Sequence, residues 1–99
     1  MSFLEHVLTQ THLYTNTGVL SEVLLFMGGY VLALRHVDRE NALLHEWWAF
    51  LNWLAGRLEL DPARSWAAQL VALLGDSREA VAKLRSLYLE FSATYKKAQ

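Results

Sequence analysis

Apolar residues recur at intervals of three and four along nearly the whole chain, the period of helices with one face turned inward. The pattern is cleanest near the C-terminus. There Ala80, Val81, Leu84, Leu87, Tyr88, Phe91 and Tyr95 share one stripe, while Arg78, Lys83, Arg85, Glu90 and Lys97 fall elsewhere. Capping residues divide the remainder. Ser2 followed by Glu5 is a capping-box pattern that opens a first helix over about 3–13, and the polar stretch from Tyr14 to Gly18 reads as a loop. A second helix is expected over about 19–36. Asp38 is the expected N-cap of a third helix that ends near Glu59 or Leu60, and Asp61-Pro62 opens a fourth as cap and first-turn proline. Gly75 ends the fourth, and a capping box of Asp76 with Glu79 starts a fifth that runs towards Lys96. The connections are short, so the expected fold is all-α: a compact bundle of about five helices forming a single helical domain over 1–99.

Two of these helices carry more apolar surface than one core contact requires. In the second, Val19, Leu20, Val23, Phe26, Met27, Tyr30 and Leu34 make the main stripe, while Leu25 and Leu32 lie behind it with Gly28 nearby. A helix that is apolar nearly all round is either central to its fold or buried in an oligomer. Adjacent glycines inside a helix cost about 1 kcal/mol each relative to alanine. Gly28 and Gly29, followed by Tyr30, are therefore expected where another backbone packs closely. In the third helix Leu43, Trp47, Phe50, Leu51, Leu54 and Leu58 complete a stripe, and Trp48 and Trp53 project to its opposite flanks. Either neighbouring helices bury all three tryptophans, or one of them is an exposed anchor for another protein. Trp53, near Glu46, is the preferred anchor, with Trp48 as the other candidate.

Composition narrows the function classes. Nine basic and ten acidic residues give a net charge of −1, without the clustered basic surface that nucleic acid requires. The charges are uneven: seven acids and three bases precede residue 63, and three acids and six bases follow it, which suggests that the two halves complement each other. The chain has no cysteine, in keeping with a reducing compartment. The uninterrupted apolar run from Val23 to Leu34 is 12 residues, against the roughly 20 needed to span a bilayer. No secretory signal is visible, so a cytoplasmic protein without a membrane partner is expected. Catalytic patterns fail in turn. His45-Glu46 begins a zinc-protease motif, but the second histidine would fall at Ala49, and His36 with Glu40 supplies two ligands where zinc needs at least three. Ser65 has no base at a recognisable spacing, and the paired glycines belong to no phosphate loop. No enzyme, metal or cofactor is expected.

The order of features has a further implication. Phe3-Leu4, Tyr14, Gly18, Leu20, Phe26, Gly29-Tyr30 and Ala33-Leu34, then Phe50 and Trp53, Ser65-Trp66-Ala67, and finally Asp76, Glu79-Ala80 and Phe91 form one plan across nearly the whole chain. It resembles the small all-helical proteins of bacterial polymorphic-toxin neighbourhoods, some of which are immunity proteins. The chain departs from that plan at Thr11-His12-Leu13-Tyr14, where a Pro-Gly-Met-Tyr turn would stand, and keeps only Tyr14. The resemblance supplies no catalytic residue. It implies neutralisation of a cognate toxin by stoichiometric occlusion; the acidic excess of the first half and the surplus aromatic surface then make Glu40 and Glu46 the candidate acids facing a basic toxin and Trp53 the candidate apolar anchor. Two other readings stand beside it. One is a homo-oligomeric module, such as a homodimer, joined through the second faces of the second and third helices; the other is a small-ligand sensor lined by Trp47, Tyr30 and Phe50.

Overall fold

The computed structural model describes residues 3–98, with side chains as far as Tyr95. Its elements are α1 (Phe3–Thr9), a 3-10 turn (Thr11–Leu13), α2 (Leu20–Val37), α3 (Ala42–Arg57), α4 (Trp66–Leu74) and α5 (Arg78–Ala98). The expected all-α bundle is therefore present, and its Cα radius of gyration of 12.9 Å matches the roughly 13 Å of a compact chain this long.

The helix boundaries show which side chains do the capping. The first helix stops at Thr9 because the Thr11 hydroxyl donates to the Val7 carbonyl at 3.0 Å, and the chain tightens into the 3-10 turn. Ser2, its expected cap, lies outside the described residues. Asp38 is the C-cap of α2 rather than the N-cap of α3; that cap is Asn41, whose Oδ1 accepts from the Leu43 N–H at 2.8 Å. At the end of α3, Glu59 takes a left-handed φ of 54° while the Leu60 N–H reaches back to the Ala55 carbonyl at 2.9 Å, a Schellman closure made without glycine.

Asp61-Pro62 does not open α4. Asp61 stands first and Pro62 second in a β-turn closed by the Arg64 N–H on the Asp61 carbonyl at 3.2 Å. The cap is Ser65, whose Oγ accepts from the Ala68 N–H. Gly75 ends α4 as expected, with φ 90°. Ser77, and not Asp76, caps α5 through the Ala80 N–H at 3.1 Å. Asp76 is used across the fold instead. Its Oδ1 accepts from the Ser21 N–H and its Oδ2 from the Ser21 hydroxyl, both at 2.8 Å. That supplies a distant cap for α2, whose own N-cap, Val19, has no side-chain acceptor.

The core joins Leu4, Val7 and Leu8 of α1 to the inner faces of α2, α3 and α5. Phe50 is its aromatic centre. The Tyr88 ring meets it edge-on at 5.4 Å, Phe91 lies at 5.2 Å, and Trp53 stacks on it at 6.3 Å. A second aromatic group, Phe3, Tyr14, Phe26 and Tyr30, closes the end beside the loop. Among the described residues one ion pair between the halves, Arg57 with Glu90 at 3.3 Å, has its base in the acidic half.

Candidate functional site

The site residues expected from sequence separate into three places. Trp53 is half-buried, held between Phe50 and Phe91, so it belongs to the α3–α5 contact rather than to an exposed anchor. Glu46 sits in the same contact and accepts from the Tyr88 hydroxyl at 3.2 Å, while its other oxygen is buried and finds no partner among the described residues. Such a carboxylate positions a core tyrosine and is poorly placed to meet a toxin. Trp48 is 48% exposed. It stands at the α2–α3 corner with Arg35, Arg39 and His45, and Glu40 lies nearby at 3.9 Å from the His45 ring nitrogen. Trp47, Tyr30 and Phe50 do not line one ligand pocket. Trp47 pairs with Trp66, Phe50 with Tyr88, and Tyr30 stacks on Phe3 at 4.6 Å.

The two glycines meet no other helix of the described residues: a Cβ at Gly28 or Gly29 would have no neighbour within 4 Å outside its own helix. They face outward, onto an apolar groove of about 520 Å³ lined by Ser21, Leu24, Leu25, Gly28, Gly29 and, from α4, Ala67, Ala68 and Val71. Tyr30 lies on the other flank of α2, among the aromatics.

The groove exists because α2 is apolar on two sides. Leu20, Val23, Leu24, Met27 and Val31 go inward and are buried. Leu25 and Leu32 go outward and are 79% and 57% exposed. By length and composition α2 is apolar enough to cross a membrane, although its inner residues are committed to the core. Sequence reading found both sides of this helix. It missed α4 as the groove's second wall, because Ala67, Ala68 and Val71 look like ordinary helix filler until the packing places them.

At the N-terminal end of the same face, Glu22 accepts from the Thr17 hydroxyl, from the Thr17 N–H at 2.6 Å and from the Asn16 N–H at 3.3 Å. These donors, the Thr17 hydroxyl first, hold its carboxyl below the ordinary range. Because the folded value is depressed, the tie is present above the unfolded pKa of about 4.3 and is lost as pH falls through the folded one. We expect the Thr17 amide resonance to be steady near neutral pH and to move as acid releases the loop. A Thr17 signal that does not move in acid before the fold itself is lost, and is also unchanged in Glu22→Gln, would show that Glu22 does not hold it.

A cleft of about 400 Å³ lies against the same loop, between residues 8–18 and α5. Its Arg78 donates through Nε to the Thr17 carbonyl at 2.9 Å and lies along Gly18, which fixes the loop. No group of three metal-ligating side chains occurs among the described residues. Comparison of the chain with protein-family models, with curated proteins and with solved structures finds no match.

Proposed function

We propose that this chain is a non-enzymatic protein-binding module whose docking surface is the outer face of α2 with the wall of α4. The exposure of Leu25 and Leu32 on either side of two open glycines carries this reading. Fully burying a leucine is worth about 1.5–3 kcal/mol, and in the isolated chain that gain is unrealised at both positions. The groove residues carry no charge, so the surface they receive is apolar, and Gly28 and Gly29 let a partner helix come close.

A second surface supports the toxin reading. Trp48 is exposed at the α2–α3 corner beside His45, whose ring lies 3.9 Å from Glu40, and tryptophan is the residue type that most often concentrates binding energy. With the resemblance to immunity proteins, this corner is where a cognate toxin would be met and occluded.

The test is a pair of measurements on the wild type and on Leu25→Asp: light-scattering mass over a concentration series, and affinity capture from host extract. Leu25 is exposed, so the variant is expected to fold normally and to lose the association. A variant that associates as the wild type does would remove the α2 face as the docking surface.

A further inference from the structure

The outer face of α2 is symmetric about its own midpoint. The point between Gly28 and Gly29 is also midway between Leu25 and Leu32, between Glu22 and Arg35, and between Ser21 and His36. Ser21, Leu25, Gly28, Leu32 and Arg35 follow one another at alternating spacings of four and three, the period of a helix–helix seam. Glu22, Gly29 and His36 run alongside. All of them lie within the single unbroken helix Leu20–Val37, and Ser21, Leu25, Gly29, Leu32, Arg35 and His36 are exposed.

Such a face complements itself when a second copy is turned antiparallel. The glycines then meet at the crossing, Leu25 of each copy lies against Leu32 of the other, and Glu22 of each lies against Arg35 of the other. A parallel arrangement would bring Glu22 towards Glu22 and Arg35 towards Arg35. We propose that the occupant of this face is a second copy of the same chain, packed with α2 antiparallel to α2 about a two-fold axis through Gly28 and Gly29. This rests on the reading of the α2 face as a docking surface and names its partner.

The contact is isologous, so each feature acts twice. From Ser21 to His36 the seam is about 22 Å long on a helix about 10 Å across. That footprint is smaller than the roughly 800 Å² per partner of a standard stable interface. The dimer is therefore expected to dissociate in the micromolar range, with the charge pairs setting direction more than strength. The glycines give a sign test. With open space around them, Gly28→Ala and Gly29→Ala are expected to stabilise the monomer, since alanine is the better helix former, while their methyl groups hold two α2 helices apart and weaken the dimer.

The deciding experiment is mass measurement by light scattering, from micromolar to about millimolar protein, on the wild type, Glu22→Arg, Arg35→Glu and an equimolar mixture of the two variants. The wild type is expected to double its mass, and each variant alone to associate about tenfold more weakly, a loss of about 1.4 kcal/mol. The mixture is expected to regain wild-type association, because in the mixed dimer both charge pairs are again opposite in sign. Damage to the Glu22 loop contacts could not be repaired by adding the other variant, so rescue reports the pairing itself. A wild type that stays at 11.3 kDa throughout overturns the second copy as occupant. In that case capture of another protein, lost in Leu25→Asp, would leave the docking reading standing. A dimer that forms equally well in all four samples overturns the antiparallel α2 seam.

Discussion

Phe50→Ala is expected to remove about 3–5 kcal/mol of stability, the range for deleting a fully buried aromatic ring. Phe50 is almost completely buried and touches Tyr88, Trp53 and Phe91, so its loss leaves three rings from two helices around one void. A domain of this length has roughly 5–15 kcal/mol in total, and the variant should sit close to its unfolding transition. Urea unfolding followed by tryptophan fluorescence would measure this at protein concentrations low enough that any dimer is dissociated. A loss below about 1 kcal/mol would mean that the rings collapse into the gap and that Phe50 is not the centre of the core.

Leu70→Ala is expected to cost about 2–5 kcal/mol and to act locally. Helix α4 has nine residues, too few to persist alone, and Leu70 is its one fully buried side chain. The edge-on contact of Trp66 with Trp47 is its other anchorage. Hydrogen exchange should show amides of 66–74 losing protection ahead of the rest of the chain. Because Ala67, Ala68 and Val71 wall the groove, the variant should also associate less well. Undiminished protection across α4 would show that contacts other than Leu70 hold it in place.

The strength of a periodic pattern decided what could be read from the residues. The inward stripe of α5 was legible because charged residues occupy its other positions, and Ala80, Val81, Leu84, Tyr88 and Phe91 are indeed buried. Caps were harder where two candidates adjoin. Asp76 and Ser77 can each cap the same helix, and the choice depended on Ser21, which is distant in sequence and adjacent in space. Asp61-Pro62 suits a helix start and a β-turn equally well, and Ser65 further on made the turn the outcome. Trp48 and Trp53 lie on opposite flanks of α3, so helical geometry alone cannot tell which one α5 covers; Phe91 covers Trp53. The glycine pair was recognised as needing a reason. The expected neighbour was another backbone, and among the described residues the space beside both glycines is open.

The bond between Asp76 and Ser21 also bears on the order in which the chain acquires structure. The carboxylate that closes the start of α2 is encoded 55 residues downstream, and α2 has no side-chain cap of its own. Until Asp76 is in place, the first-turn donors of α2 that it accepts from are left to water. Docking α5 then completes two helix starts together, Ser77 closing its own helix as Asp76 closes the earlier one. The finished start of α2 thus depends on a residue of the C-terminal half, so Asp76→Ala is expected to loosen the start of a helix far from it in sequence.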